Sequence, residues 1–341
     1  MTIVHAILVF ALLVLVHEGG HFLAAKACGV RVLEFALGLG PAIFKKKWGE
    51  TTYAIRALPF GGQCVMEGED ESSDDPRAFN NAKLWKRAII LVAGVSMNFL
   101  MGFVILFCIY SPAEAFVMPT VDAFMEKFTG GGENGVQEGD TFLEIDGYNV
   151  YVSSDIAQAL SHGDDDYFDI WVLRDGKRVH LQNVYIAPQP YELDGQEVHY
   201  YGFYLKTQEA TLGLKLRMTW FSSVNVVRLV IDSLKQLFTG AVKVTDLSGP
   251  VGISAAMSEY AKQDMGNFWF ITALISINLA VMNLLPIPAL DGARLIFVLY
   301  EAIFRRPVNR KVEGYIHAVG LLLLLGLMLF VTFHDIWKLV V

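Results

Sequence analysis

His17-Glu18-Gly19-Gly20-His21 lies inside an apolar run from Ile3 to Cys28, and the reading of that stretch decides what kind of protein this is. Residues four apart on a helix share a face, so His17 and His21 can aim ring nitrogens at one point. Glu18 is offset enough to reach a water held there. Ionisable groups are costly at membrane depth and occur there mainly with partners or in functional sites. Three of them on one turn of an apolar helix predict a bound metal ion, and the spacing is that of the HExxH helix of zinc hydrolases.

The rest of the 341 residues agrees with a membrane setting. Hydrophobic residues make up 54% and charged residues only 18%, with a mean hydropathy of +0.42, which is too apolar for a soluble chain of this length. Four spans are predicted, at about 3–28, 88–110, 268–290 and 315–333, each long enough at helical rise to cross a hydrocarbon core of ~30 Å. The first is too long for a removable signal peptide and lacks its basic start and small-residue exit. Residues 29–87 are rich in Lys and Arg, and Arg294, Arg305, Arg306, Arg310 and Lys311 follow the third span. Both connections are expected on the cytoplasmic side. Residues 113–210 hold 18 Asp and Glu against 5 Lys and Arg in a chain of net charge −8, so this segment is expected outside, and its acidity gives no reason to expect nucleic-acid binding. The three cysteines imply no disulfide framework.

A catalytic zinc usually takes three protein ligands and leaves a position for water. A third His six residues beyond His21 would fall at Ala27, which closes the metzincin continuation. Glu34 and Glu50 are near in sequence but lie past the first span among Gly and Lys residues. Asp291 is better placed. It follows Asn283-Leu284-Leu285-Pro286-Ile287-Pro288-Ala289-Leu290 at the end of a span predicted to run in the same direction as the first, so its depth can match that of the two histidines. The prolines disrupt the helix just before it, which a membrane tolerates where opened backbone lines a cavity or is buried in protein. An Asp-Gly pair can equally be a simple helix-end turn.

HEGGH in a first span, Asn-x-x-Pro-x-Pro-x-Leu-Asp-Gly in a later one and Leu58-Pro59-Phe60-Gly61-Gly62 between them resemble the site-2 protease family of intramembrane zinc metalloproteases, in its RseP-like bacterial branch. Weaker matches are Phe35 to Pro41, Ala93 to Asn98 and Ser248 to Ile253. The resemblance implies that His17, His21 and Asp291 ligate Zn2+ and that Glu18 is the general base. It departs from the family at Gly19, commonly aromatic, and at Gly94-Val95, commonly Gly-Pro. In water, each of Gly19 and Gly20 weakens a helix by about 1 kcal/mol relative to Ala. Close helix packing is the expected compensation.

Between residues 33 and 68, apolar-polar alternations broken by glycines predict short strands: Leu33 to Gly38, Ala42 to Lys47, Thr51 to Ala57 and Gln63 to Glu67. In the family a comparable segment is a re-entrant β-loop beside the active site, suited to pairing with an extended substrate. Gly135 to Asp140, Phe142 to Gly147 and the Asp175-Gly176 hairpin signal resemble parts of a PDZ domain. Residues 212–243 resemble an amphipathic helix on the membrane surface. The remaining histidines, His317 and His334 among them, are expected to cap or pack the last span.

The expected fold is thus a polytopic α-helical membrane protein with four transmembrane helices, a cytoplasmic-side β-hairpin or re-entrant loop and one inserted extracytoplasmic α+β PDZ-like domain. Its parts are a membrane core over 1–112, the PDZ-like domain over 113–210, a membrane-surface segment over 211–265 and a second membrane core over 266–341. The expected function is intramembrane zinc endoproteolysis of transmembrane segments in a bacterial plasma membrane, with the N-terminus outside and the site toward the cytoplasmic half. Substrates would be of the anti-sigma-factor type, cut first by a site-1 protease, or signal-peptide remnants. Asn283, Asn98, Gly61 and Gly62 are candidates for holding the unwound substrate. The alternative is a catalytically inactive, PDZ-bearing membrane scaffold.

Overall fold

The computed structural model describes residues 2–340 except 70, 72, 164, 194–195, 242–248 and 307; Ser248, at the start of one matched motif, therefore lies outside the described residues. Along the chain come α1 (Thr2–Cys28), β1 (Val32–Trp48), β2 (Thr51–Met66), α2 (Leu84–Tyr110), β3 (Ala115–Phe124), β4 (Thr141–Ile145), β5 (Tyr148–Asn149), α3 (Ser153–Ser161), β6 (Tyr167–Arg174), β7 (Lys177–Tyr185), β8 (Gln189–Leu193), β9 (Gln196–Tyr200), β10 (Phe203–Glu209), α4 (Leu212–Thr239), α5 (Pro250–Gln263), α6 (Met265–Leu284), α7 (Asp291–Phe304) and α8 (Arg310–Val340). They form two compact units, one of residues 1–109 and 226–341, the other of residues 110–225.

Among the described residues, four helices are long and apolar enough to cross a membrane: Ile7–Cys28, Leu84–Tyr110, Met265–Leu284 and Lys311–Lys338. The second starts four residues before the predicted 88 because its first-turn cations find partners. Lys86 donates to Cys28 O at 2.7 Å, and the buried Arg87 pairs with Glu301 at 2.7 Å. The predicted third span, 268–290, is corrected more sharply. Its helix stops at Leu284, where Leu285 turns extended (φ −66, ψ 150) ahead of Pro286, since a proline disfavours helical backbone at the residue before it. The helical path resumes only at Asp291.

The four short strands predicted between 33 and 68 form two long ones, folded so that the predicted pieces still pair. Residues 42–48 pair with 51–56, while Glu34 to Leu37 pair on one side with Gly62 to Val65 and on the other with Thr52 to Ile55. Gly38 makes the fold-back possible. Its φ of +87 favours glycine, and a Cβ there would overlap the carbonyl oxygen of Leu58. The hairpin packs on α1, and one apolar cluster joins Ala25, Val32, Cys64, Ile90 and Val298, drawing α1, the hairpin, α2 and α7 together. A second, of Val9, Leu13, Met257 and Phe268, joins α1 to α5 and α6.

The second unit holds a six-stranded sheet ordered β10-β3-β4-β6-β7, with β5 on β4. Phe142, Ile145, Ile156, Phe168, Ile170 and Val172 fill its core, the alternation of β6 placing every second side chain inside. The predicted hairpin turn is present, with Asp175 at φ 51 and Gly176 at φ 75. Asp140, fully buried, is matched by both the Nε (2.8 Å) and Nη2 (2.7 Å) of Arg174. Its charge and hydrogen bonds push the guanidinium pKa further up.

Candidate active site

The two imidazoles meet as the i, i+4 spacing requires, with Nε2 of His17 3.3 Å from Nε2 of His21. Asp291, first residue of α7, completes the group: its Oδ2 lies 3.1 Å from each Nε2. Three donors separated by 3.1–3.3 Å match the edges of a tetrahedron with metal–ligand bonds of about 2.0–2.1 Å, for which the edge is about 3.3 Å. The donor set therefore fits a zinc ion. It is the one cluster of potential metal ligands found among the described residues.

Neighbouring groups fix how the rings present themselves. The Nδ1–H of His21 donates to Ile90 O at 2.8 Å, which leaves the Nε2 lone pair facing the other donors. The amide nitrogen Nδ2 of Asn98, fully buried on α2, lies 3.2 Å from Nδ1 of His17. Exchanging the amide's N and O, a flip that puts the otherwise unpartnered Oδ1 against that nitrogen, would let it accept Nδ1–H and do for His17 what Ile90 does for His21. The backbone of Asn98 is itself held, its carbonyl accepting from Ser276 Oγ at 2.7 Å. Both contacts to the imidazole Nδ1 atoms thus come from α2. Glu18 faces β2, where Gly62 and Cys64 line the same cavity as its side chain.

A cavity of about 290 Å³ opens on these groups, lined by His17, Glu18, His21, Asp291, the β2 segment from Gly62 to Met66, and Glu69, Leu91, Ala289 and Arg294. Glu69 and Arg294 form an ion pair in its wall. Of the four residues expected to hold substrate, only Gly62 lines it. Asn98 is fully buried against His17 and does not line this cavity. Asn283, half-buried near the end of α6, and Gly61 are not among the cavity's described walls. Gly61 instead turns the ribbon at φ +75 against Leu39. The sequence held no signal for Ser276 or Ile90, since a hydroxyl or a carbonyl within an apolar helix marks nothing until its neighbour is known.

The rejected carboxylates are occupied elsewhere. Glu34 pairs with Arg56 at 2.5 Å, and Glu50 with Lys26 at 2.7 Å and Arg77 at 2.9 Å. The Lys26 ammonium, with Arg77 adding to it, holds the Glu50 carboxyl below the usual range.

Helix contact explains one of the two motif glycines. A Cβ on Gly20 would come within 2.5 Å of Ala93 O, and one on Gly94 would overlap His21 Nε2, so α1 and α2 touch backbone to backbone beside the three clustered donors. Gly19 has nothing within 4 Å of the corresponding position. Gly94→Ala and Gly20→Ala are expected to lose most activity, whereas Gly19→Ala should keep it and gain up to about 1 kcal/mol. Cleavage rates and thermal unfolding of the three variants in detergent check this.

The model of peptidase family M50 matches residues 5–327. A protein of Clostridium acetobutylicum described as a putative zinc metalloprotease is 35% identical over 98% of this chain and 97% of its own length. One of Fusobacterium nucleatum with the same description is 35% identical over 99% of each. The regulator of sigma-W protease RasP of Bacillus subtilis is 29% identical over 99% of each chain. The chain belongs to peptidase family M50, the site-2 protease family of intramembrane zinc metalloproteases.

Proposed function

We propose that this multi-pass membrane protein hydrolyses a peptide bond within a transmembrane segment of another protein, with His17, His21 and Asp291 as the zinc ligands and Glu18 as the general base. The observation that carries the reading is the convergence of two Nε2 atoms and one carboxylate oxygen, 3.1–3.3 Å apart, beside Glu18 in a cavity within the spans. Zinc, when bound, acidifies water toward a pKa of ~7 and polarises the scissile carbonyl. Glu18 takes the proton of the attacking water and hands it to the departing amine as the C–N bond breaks.

A helical substrate hides its carbonyls in its own hydrogen bonds, so it must unwind before it can react. The extended β2 segment from Gly62 to Met66 along the cavity wall supports pairing of the opened strand there. A Cβ at Gly62 would stand 2.9 Å from the Glu18 side chain. The expected result is cleavage of a membrane-embedded peptide by the purified protein, abolished by dialysis against a chelator and restored by zinc. Cleavage that survives complete removal of metal would refute the reading.

The relative from Bacillus subtilis, named as a regulator of sigma-W, supports a substrate of the anti-sigma-factor type; cutting of that substrate first by an upstream protease is part of the proposal. The acidic sheet unit between the second and third spans is read as a PDZ-like domain outside the cell, and the Lys- and Arg-rich connections as cytoplasmic. In a cysteine-free background, single cysteines at 46 and 306 are expected to resist an impermeant reagent added to intact cells, and one at 165 to react. Outside labelling at 46 would reverse the orientation.

A further inference from the structure

Asp291 is delivered by a turn that is strained and short of donors. Leu285 to Leu290 contains two prolines without N–H groups and closes on itself through Ile287 N–H to Leu285 O (2.7 Å) and Leu290 N–H to Ile287 O (3.1 Å). Ala289 has φ 76, in the left-handed region where a Cβ crowds the following carbonyl oxygen and glycine is the usual occupant. It lines the same cavity as Asp291. What holds it comes from the last span. Ala289 N–H donates to Nδ1 of His317 at 2.9 Å, and the His317 ring is set edge-on to Phe297 of α7, centroids 5.7 Å apart. One turn further along α8, Gly320 admits Pro288 so closely that a Cβ there would overlap it. Residues 317 and 320 share a face of α8, and together they clasp the pair of residues just ahead of the Leu290-Asp291 junction.

We propose that His317 is a positioning residue for the acidic metal donor: by accepting the Ala289 N–H it holds the left-handed turn, and the turn aims the Asp291 carboxylate at the two imidazoles. The inference rests on the zinc reading above. It assigns to α8, which contributes no ligand, a part in metal retention. Packing alone predicts a different outcome, because packing depends on the volume at position 317 and positioning depends on a hydrogen-bond acceptor there.

The test separates the two. His317→Leu keeps volume and removes the acceptor; His317→Asn loses volume and keeps an acceptor oxygen near the place of Nδ1. Zinc-loaded, purified variants are dialysed against graded chelator, and kcat and KM are measured on a membrane-embedded peptide. His317→Leu is expected to hold zinc 10–100-fold more weakly, the range for groups that orient ligands, with kcat reduced and KM little changed. His317→Asn should stay near the parent. Ala289→Gly, which adopts the turn unaided, should be near-neutral alone and restore much of the loss in His317→Leu. Zinc retention by His317→Leu equal to the parent, loss in His317→Asn but not in His317→Leu, or a His317→Leu defect that Ala289→Gly leaves untouched would each overturn the proposal. Asp291→Asn is measured alongside: zinc retained by that variant sinks the ligand assignment itself, whereas its loss together with an unaffected His317→Leu sinks only the positioning role.

Discussion

Glu18→Gln is expected to bind zinc like the parent and to lose at least 10²–10⁴-fold in kcat, the range that positioned acid–base groups supply. The amide keeps the size and shape of the side chain, so the hairpin and α1 should stay in register. What it cannot do is accept a proton from the attacking water. His17 and His21 are untouched, and Asp291 reaches them across a different helix, so metal content should separate cleanly from turnover. Zinc analysis of the purified variant beside its cleavage rate makes the check. Near-parental cleavage by Glu18→Gln would remove the residue from the chemistry.

Asp291→Ala should fail earlier, at metal binding. Two imidazoles alone leave the ion short of the three protein ligands of a catalytic zinc site, and the variant removes the carboxylate that lies 3.1 Å from both Nε2 atoms. Zinc occupancy and activity should fall together. Glu34→Ala and Glu50→Ala should leave the metal in place, because their carboxylates are committed to Arg56 and to Lys26 with Arg77. The opposite pattern, metal lost from Glu34→Ala and kept in Asp291→Ala, would dismantle the two-helix site. Any loss of stability in the glutamate variants should be small, since each carboxylate is partly exposed and such ion pairs contribute about 0–1 kcal/mol.

The features readable in one dimension were those set by local periodicity. An apolar helix with His at i and i+4 brings the two rings together whatever surrounds it, and the hydropathy of four segments specifies helices because only such segments satisfy their backbone in lipid. The Asp175-Gly176 hairpin and the four pairing pieces between 33 and 68 belong to the same class, since glycine at a turn acts within a few residues. Boundaries shifted where side chains found distant partners, as with Arg87 and Glu301, 214 residues apart.

Asn98 was legible as a polar residue in an apolar helix, yet its task was not. Only the approach of α1 to α2, allowed by Gly20 and Gly94, sets its amide against His17, 81 residues away. The sequence determined by itself that two imidazoles and a carboxylate share one turn of a membrane helix, because 3.6 residues per turn is a property of the backbone. Which carboxylate joins them, which amide supports them and which span clasps the turn carrying Asp291 were decided by tertiary structure. Those choices depend on which helix faces meet, and that is fixed by packing among residues up to 270 positions apart.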